Sequence, residues 1–362
     1  MIVVGVEKPV VVVTGGSGLL GSALIARLRS EYHVVNFDLK GDPFSPADVE
    51  FICVDLTSED SVRRAVDRVG SVYGRRVASL VHLAAFYDFS GEPSPLYDKV
   101  TVEGTARLLE AAKALELEQF VFSSTMLVHR PTLPGDRIDE DDQLEATWAY
   151  PESKVQTERV IREHHAEIPA VVLRLAGVYD EDGDSPPLTN QVQRIHGRWV
   201  TSHFYPASLQ RGQAFVHRDD AIDAIVRCVT RRNDLPRSFL PLLIGEPLTL
   251  GYGEVQQVIA AALFGRRWWT LRIPKPVAQL GAWLRERNPL MADPFVRSWM
   301  VDRADDHYEL DISRASDLLG WEPQHSLRAA LPEMVQRLRA DPDGWYAHNQ
   351  LEPPRKDHEH RG

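Results

Sequence analysis

The sequence has little cysteine, no long apolar run and no excess of positive charge. Its 362 residues include two cysteines, Cys53 and Cys228, each in an apolar stretch (FICVDL and IVRCVT), so we expect buried free thiols in a reducing compartment rather than a disulfide. No apolar run approaches the length of a membrane span, and the N-terminus lacks the basic segment of a signal peptide. These features predict a cytoplasmic protein without a membrane span.

The net charge of −11 argues against a nucleic-acid-binding surface, because phosphate contacts need clustered lysine and arginine. Metal binding is not expected either, since the adjacent His164 and His165 would point to different faces of a helix. Hydrophobic residues make up 43% and charged residues 26%, which is ordinary for a globular protein. The length allows one large α/β unit or two domains with a sizeable core.

The stretch VVVTGGSGLLGSAL places glycines between an apolar strand and an amphipathic helix. Gly15 permits a tight turn, Gly18 lets the backbone approach a pyrophosphate, and Gly21 lets the helix pack closely on the strand. The helix N-terminus then offers free N–H groups and the positive end of its dipole to phosphates. This arrangement predicts dinucleotide binding, with a plain tight turn as the alternative.

Acidic residues follow at the ends of the next two strands. Asp38 lies roughly 20 residues downstream, where a carboxylate accepts hydrogen bonds from the adenosine ribose and repels a 2′-phosphate. NAD is therefore favoured over NADP, although the nearby Lys40 would soften the preference. The alternative is that Asp38 caps a turn. Asp55 either bonds the adenine amino group or caps the helix that follows it.

Short β-rich runs alternate with helical patterns through the first half of the chain. This rhythm predicts an α/β fold with a doubly wound parallel sheet, the Rossmann type, and right-handed crossovers. The predicted strands span 10–14, 34–38, 51–54, 79–84, 119–123 and 170–175. The predicted helices span 19–28, 58–68, 95–115 and 150–165.

The rhythm stops at YDEDGDSPPLTN, a loop rich in proline, glycine and aspartate. Large side chains, tryptophan among them, are frequent beyond it. We therefore expect an NAD-binding Rossmann domain over 1–180, to which 212–232 returns, and a smaller C-terminal substrate-binding domain over 181–345. A polar tail over 346–362 would follow.

The stretch TWAYPESKVQTE pairs a phenol with an ammonium. Tyr150 and Lys154 are four residues apart in a predicted helix, so they share one face. The spacing alone fits a solvated helix face as well as a catalytic pair. The dinucleotide loop upstream and the hydroxyl side chains after the fifth strand favour the catalytic interpretation.

Several motifs occur in the order and spacing of a known group: TGGSGLLG, VDL, LVHLAA, YPESK and FVHRDDAIDA. In them the chain resembles the extended short-chain dehydrogenase/reductase superfamily, which contains NAD-dependent epimerases, dehydratases and 3-beta-hydroxysteroid dehydrogenases. The later stretch DISRASDLLGWEPQHSLRAALPEMV is similar to the C-terminal signature of that group. The resemblance covers residues 9–340 and implies NAD as the cofactor.

The resemblance implies a catalytic triad of a hydroxyl residue, a tyrosine and a lysine. Tyr150 and Lys154 match directly, and Thr125 takes the hydroxyl position, with Ser124 as the neighbour that would substitute for it. Ser123 is expected to end the fifth strand. The residues implied to bind the cofactor are Gly15, Ser17, Gly18, Leu19, Leu20, Gly21, Asp38, Asp55, Leu56, Leu83, Ala84, Ala85, Tyr150, Lys154, Leu175 and Val178.

Hydride transfer at a carbinol carbon needs a proton moved at its oxygen. A free phenol has a pKa of about 10 and is a poor base at neutral pH. We expect the Lys154 ammonium and the positive nicotinamide to lower the pKa of Tyr150 toward the working range. Lys154 would also bond the nicotinamide ribose, and Thr125 would hold the substrate oxygen.

Departures from the family pattern narrow the substrate. Thr101 stands where many relatives have an asparagine that helps to organise a proton-relay water. Gln213 replaces an arginine that clamps the diphosphate of sugar nucleotides, while Arg211, on the same strand face, and Arg303 are candidate substitutes. Aromatic residues follow the fourth strand and suggest an apolar pocket, with packing of a lid loop as the alternative: Phe86, Tyr87 and Phe89.

We therefore predict an NAD-dependent oxidoreductase that transfers a hydride between nicotinamide and a secondary alcohol or ketone of a small, partly hydrophobic substrate. The first alternative is a nucleotide-sugar epimerase or dehydratase, and the second is a dinucleotide-binding scaffold without turnover. The resemblance also implies a homodimer formed by the helix after the fourth strand and the Tyr150 helix. Its candidate face contains Leu108, Leu109, Ala112, Val155 and Val160.

Overall fold

A computed structural model describes residues 8–354 of the chain, except 44, 89–90 and 287–296. The strands are β1 (Val10–Thr14), β2 (His33–Asp38), β3 (Glu50–Cys53), β4 (Arg76–Val77), β5 (Ser79–His82), β6 (Glu116–Leu117), β7 (Phe120–Thr125), β8 (Ala170–Leu175), β9 (Gly177–Tyr179), β10 (Phe204–Tyr205), β11 (Phe215–His217), β12 (Phe239–Ile244) and β13 (Leu271–Arg272). The helices are α1 (Leu19–Leu28), α2 (Glu59–Tyr73), α3 (Glu103–Ala112), α4 (Ala149–His164), α5 (Pro186–His196), α6 (Arg218–Thr230), α7 (Tyr252–Phe264), α8 (Lys275–Glu286), α9 (Ser298–Asp302), α10 (Ser313–Leu319), α11 (Leu327–Ala340) and α12 (Pro342–His348).

The main sheet has seven parallel strands in the order β12-β8-β7-β5-β1-β2-β3. The chain builds outward from β1 to β2 and β3, and then outward on the other side through β5, β7, β8 and β12. This reversal places a crevice at the carboxyl ends of β1 and β5, where doubly wound sheets bind their ligands. The predicted fold class is confirmed.

Alternate residues of β1 enter two apolar layers, one on each face of the sheet. Val11 and Val13 pack with side chains from α1 and α6, while Val10 and Val12 pack with side chains from α2 and α3. The segment 212–232, which contains α6, therefore packs on the main sheet. A third apolar cluster joins α5, α7, α11 and α12. The exact division at residue 180 stays a prediction.

Several predicted boundaries are wrong. The predicted helix over 95–115 starts at Pro95 as expected, but it contains a π-helix, Tyr97–Val102, and ends as α3 at Ala112 instead of Leu115. The fifth predicted strand continues past Ser123, because Ser123 to Thr125 pair in register with Leu173 to Leu175 of β8. Ser123 therefore does not end the strand.

The two cysteines are both free, but they differ in burial. Cys228 is buried on α6, as expected. The prediction that Cys53 is buried is wrong, because β3 is the edge strand of the sheet and exposes alternate side chains to solvent.

The predicted dimer face is mostly core. Leu108, Leu109 and Ala112 are each at most 1% exposed and pack with α2 and the sheet of their own chain. Val155 and Val160, on α4, are half-buried. Homodimer formation stays a prediction, with α4 as the part of the face that the fold leaves accessible.

Candidate active site

The glycine loop joins β1 to α1 and leaves no space for side chains. Gly15 has a φ of +70°, and a Cβ there would lie 2.8 Å from the Ala84 nitrogen. A Cβ on Gly21 would lie 2.2 Å from the Gly15 oxygen. Gly18 is the N-cap of α1, and no side chain caps the helix there. The loop therefore fits a dinucleotide pyrophosphate at the N-terminus of α1.

The acidic residues at the ends of β2 and β3 both make turn contacts. Asp38 accepts hydrogen bonds from the Ser17 amide at 3.0 Å and the Leu39 amide at 2.7 Å, which ties β2 to the glycine loop. Asp55 accepts from the amide and the hydroxyl of Thr57 at 2.8 Å and 2.7 Å. Both carboxylates therefore cap turns, as the alternative interpretation predicted. Contacts to ribose and adenine stay predictions, since a carboxylate accepts several hydrogen bonds at once.

His82, at the end of β5, connects the strand beside the loop to α3. Its Nδ1 lies 2.6 Å from the Thr14 hydroxyl and its Nε2 lies 2.9 Å from the Thr105 hydroxyl. Thr105 donates its own proton to the Thr101 carbonyl at 2.6 Å, so the Nε2 of His82 donates to Thr105. Burial lowers the pKa of His82 to about 3, and the ring stays neutral. His82 thereby fixes the floor of the glycine loop, where Thr14 accepts from the Ala84 amide at 3.2 Å.

The three predicted catalytic side chains come together at the carboxyl end of β7. Tyr150 lies in the first turn of α4, close enough to Thr125 that the Thr125 hydroxyl acts to lower the Tyr150 pKa. Lys154 is buried, and its Nζ donates to the Ser123 carbonyl oxygen at 2.7 Å. The same nitrogen lies 5.8 Å from the centre of the Tyr150 ring. The cluster has the composition of a proton-transfer site, with a phenol, a hydroxyl and an amine.

The pKa values within this cluster differ from the expectation. Burial raises the pKa of Tyr150 to about 12, and the Thr125 hydroxyl acts in the opposite direction. Burial lowers the pKa of Lys154 to about 7, while the Glu158 carboxylate acts to raise it. In the protein without cofactor the pKa of Tyr150 is therefore raised, because desolvation of the phenol outweighs the effect of Thr125. The expected lowering, which includes the positive nicotinamide, stays a prediction.

A buried ion pair lies behind Lys154 and was missed in the sequence. Glu158 accepts from Arg174 of β8 at 2.8 Å, and both side chains are at most 3% exposed. Glu158 also accepts from the Ser124 hydroxyl at 2.6 Å, so Ser124 is engaged with this pair, while the Thr125 hydroxyl acts on the pKa of Tyr150. The available signal was spacing, since Glu158 lies four residues after Lys154 and shares its helix face.

A cavity of about 850 Å³ adjoins the cluster and extends from α1 to α9. Predicted site residues that line it are Leu19, Leu20, Leu83, Ala85, Thr125, Tyr150, Lys154, Leu175 and Val178. Predicted cofactor residues that do not line it are Gly15, Ser17, Gly18, Gly21, Asp38, Asp55, Leu56 and Ala84. The cavity therefore joins the predicted nicotinamide side of the cofactor site to the predicted catalytic side chains.

Aromatic rings surround Tyr150 on the side of the cavity away from α1. The ring centres of Trp148 and Tyr150 are 5.5 Å apart, and those of Trp148 and Trp299 are 5.2 Å apart. Tyr87 meets Tyr150 edge-on at 4.9 Å. Tyr87 was predicted at the cleft, whereas the two tryptophans were not. Trp148 precedes Tyr150 by two residues, and that proximity was an available signal.

The remaining aromatic residues of the prediction have mixed outcomes. Phe86 does not line the cavity, because its ring packs edge-on against Tyr97 at 4.9 Å. Phe89 lies outside the described residues. Tyr205 and Tyr252, which were not predicted, line the cavity with their rings stacked at 3.6 Å.

The candidate anion-binding residues all line the cavity, and two of them are engaged within the chain. Arg211 donates to the Asp305 carbonyl, and Arg303 donates to the hydroxyl and carbonyl of Thr147. Gln213 lines the same region. The arginines therefore brace the loops of the cavity wall.

Comparison with known proteins identifies the family. Residues 11–240 match the NAD dependent epimerase/dehydratase family model. The chain belongs to this family. The predicted membership of the extended short-chain dehydrogenase/reductase superfamily is thereby confirmed. The protein is an NAD-dependent enzyme of the epimerase/dehydratase family, and NAD is its cofactor, as predicted.

The similar proteins include a sterol dehydrogenase and nucleotide-sugar epimerases. The chain is 28% identical to sterol-4-alpha-carboxylate 3-dehydrogenase, decarboxylating, of Candida albicans, over 91% of this chain and 98% of the relative. It is 24% identical to UDP-glucose 4-epimerase of Vibrio cholerae, over 90% of this chain and 94% of the relative. The fold is similar to that of UDP-glucuronic acid 4-epimerase from Bacillus cereus, solved with UDP-glucuronic acid and NAD, with a TM-score of 0.68, 20% identity and coverage of 91% and 99%.

Within the described part of this epimerase/dehydratase-family chain, no helix has the length and apolar character needed to cross a membrane. The same residues contain no group of three histidine, cysteine, aspartate or glutamate side chains arranged to hold a metal ion.

Proposed function

We propose that the protein is an NAD-dependent oxidoreductase that transfers a hydride between nicotinamide and a secondary alcohol or ketone. The observation that carries this proposal is the Tyr150 side chain, which lines the cavity together with Thr125 and lies beside the buried Lys154. Interconversion of an alcohol and a ketone moves a proton at the carbinol oxygen. The Tyr150 phenol can exchange this proton, and the Thr125 hydroxyl beside it can hydrogen-bond to the same oxygen.

Each member of the triad has a distinct role in this proposal. Tyr150 exchanges a proton with the substrate oxygen, and Thr125 holds that oxygen by hydrogen bonding. Lys154, anchored by the Ser123 carbonyl, orients the nicotinamide ribose. NAD supplies the hydride acceptor, or in its reduced form the donor. The raised pKa of Tyr150 favours the protonated phenol, which is the form that donates to a ketone during reduction.

The cofactor residues of the prediction are assigned in the same way. The three glycines of the loop and the start of α1 hold the pyrophosphate, with Asp38 at the adenosine ribose. Leu83, Ala85, Leu175 and Val178 adjoin the nicotinamide, which is consistent with their position on the cavity wall. The Rossmann domain over 1–180 holds the cofactor, and the segment over 181–345 supplies most of the substrate wall.

We propose a small, partly hydrophobic substrate. The aromatic rings of Trp148, Trp299 and Tyr87 around Tyr150 support this, because apolar walls bind apolar ligands by burying their surface. The 28% identity to a sterol dehydrogenase over nearly the full length supports the same class. Arg211 and Arg303 are bonded to their own chain, which counts against a diphosphate clamp.

The alternative is a nucleotide-sugar epimerase. Its support is the similarity to UDP-glucose 4-epimerase and the fold shared with a UDP-glucuronic acid 4-epimerase. The third possibility, a scaffold without turnover, has less support because the Tyr150, Lys154 and Thr125 cluster is complete. A homodimer and a cytoplasmic location stay predictions.

NADH formation separates these functions. The enzyme is incubated with NAD and secondary alcohols that range from small polar compounds to sterols, with Tyr150→Phe as the matched variant. We expect NADH formation with apolar alcohols and none in the variant. Melting-temperature shifts with UDP-glucose and UDP-glucuronic acid are measured in parallel. Strong stabilisation by a UDP-sugar without alcohol oxidation favours the epimerase, and no turnover of either class favours the scaffold.

A further inference from the structure

Helix α8 exposes large apolar side chains along its outer face. Val277, Leu280 and Leu284 are 57%, 58% and 55% exposed and follow the i, i+3, i+7 spacing of one helix face. Leaving several large apolar side chains in water on one helix is unfavourable, and such patches commonly mark interaction surfaces.

The opposite side of α8 is apolar as well. Ala278 and Ala282 line the cavity, and α8 packs against α9. A helix that is apolar nearly all round is covered on both sides in a stable environment. The enzyme interior covers one side of α8, and the outer side therefore calls for a partner.

The charge of this region identifies the partner. Residues 264–286 contain five arginine or lysine residues and one acidic residue, whereas the whole chain carries a net charge of −11. Arg266, Arg267 and Arg272 are exposed, as are Trp269 and Leu271 directly before α8. A helix with apolar residues on one face, flanking basic residues and tryptophan is the composition of a segment that lies in a membrane interface.

We propose that α8 and residues 266–272 bind the surface of an anionic lipid bilayer, with the outer face of α8 in the interface. A second copy of the chain is a less suitable partner, because it would bring two basic segments face to face. The inference does not depend on the proposed function, because exposure and charge carry it. Val277 both lines the cavity and faces outward, so the bound enzyme has its cavity mouth at the bilayer.

Co-sedimentation of the full chain with vesicles tests this proposal. Phosphatidylcholine vesicles are compared with vesicles that also contain phosphatidylserine, at low and high salt. We expect roughly tenfold or stronger binding to the anionic vesicles, weakened by salt, because several basic side chains contribute near the surface. Leu280→Glu and Leu284→Glu together lower this binding roughly tenfold or more, since they place charges in the interface. Neither residue lines the cavity.

Val72→Glu provides the matched control, because Val72 is 53% exposed near the end of α2, on a helix of the Rossmann layer. It binds vesicles like the wild type if the proposal holds. Equal binding by all variants, or no preference for phosphatidylserine, overturns the proposal.

Light scattering provides a second test. If the wild type binds no vesicles and forms an oligomer that dissociates in the α8 variant, the outer face of α8 is a self-association surface instead. NAD turnover with a water-soluble alcohol is measured on the same variants, so that failure of lipid binding is distinguishable from failure of the proposed function.

Discussion

The two sides of the candidate active site are assembled differently. The proposed cofactor side, with the glycine loop and the ends of β1, β5, β7 and β8, comes from the first 178 residues in the order of the sheet. The proposed substrate side takes its wall from Trp148, α5, β10, α8 and α9, which are spread over about 150 residues. One side depends on local turn geometry, whereas the other depends on how distant segments pack. Mutations that separate the two sides test this division.

The largest effect is expected where the two sides meet, at Tyr150. Tyr150→Phe removes the hydroxyl and keeps the ring, so turnover falls by roughly 10³-fold or more while NAD affinity is unchanged. Tyr252→Phe, at another tyrosine of the cavity wall, is the control and keeps most of the turnover. Steady-state kinetics and NAD titration measure both quantities. Near-normal turnover in Tyr150→Phe contradicts the triad.

The ion pair behind Lys154 supports both sides. Glu158→Gln leaves the Arg174 guanidinium buried without its carboxylate, so the free energy of unfolding falls by about 3 kcal/mol. Glu163→Gln, on the exposed face of the same helix, changes it by less than about 0.5 kcal/mol. Denaturant unfolding measures both variants. Equal stability of the two variants would show that the buried pair is replaceable by neutral hydrogen bonds.

These regions also differ in how far the sequence predicts them. The glycine loop and the strand order depend on residues close in sequence, so spacing and apolar runs were sufficient. Glu158 was missed because a charged side chain usually indicates exposure, and only β8 brings Arg174 to it. Trp299 approaches Trp148 across roughly 150 residues, a contact that no local pattern encodes. The aromatic lining of the substrate side was therefore predictable from the sequence, but most of the residues that form it were not.

Lys154 makes the stability of the protein without cofactor depend on pH. Burial lowers the pKa of Lys154 from 10.5 to about 7, so between pH 7 and 10.5 the unfolded chain binds more protons than the native one. Stability from this group therefore rises with pH, by about 2 kcal/mol between pH 7 and 9. Lys154→Met removes that rise. Unfolding curves of the wild type and Lys154→Met at several pH values measure the free energy of unfolding. If it depends on pH in the same way in both proteins, the pKa of Lys154 is not lowered.

The cofactor side alone is tested by Gly21→Ala. Its methyl group would lie 2.2 Å from the Gly15 oxygen, so the loop has to move. A cost of about 1–3 kcal/mol corresponds to a roughly fivefold to 150-fold loss of NAD affinity. Gly70→Ala, within α2, meets only the Leu115 side chain at 3.4 Å and serves as the control with unchanged NAD affinity. Calorimetric titration with NAD measures both, and equal affinities would remove the loop from the cofactor site.

The substrate side alone is tested by Tyr205→Ala, where the smallest effect is expected. Tyr205 stacks on Tyr252 at 3.6 Å and donates to the Ala304 carbonyl at 2.9 Å, so the change removes one aromatic contact from the wall. Such a contact contributes about 1 kcal/mol, which corresponds to a roughly fivefold rise in KM for an apolar alcohol. The KM for NAD stays constant, because Tyr205 lies on the substrate side. Tyr73→Ala, on α2, leaves both constants unchanged. A rise in the KM for NAD in Tyr205→Ala would show that the substrate side also affects cofactor binding. That result would contradict the separation of the site into a cofactor side and a substrate side.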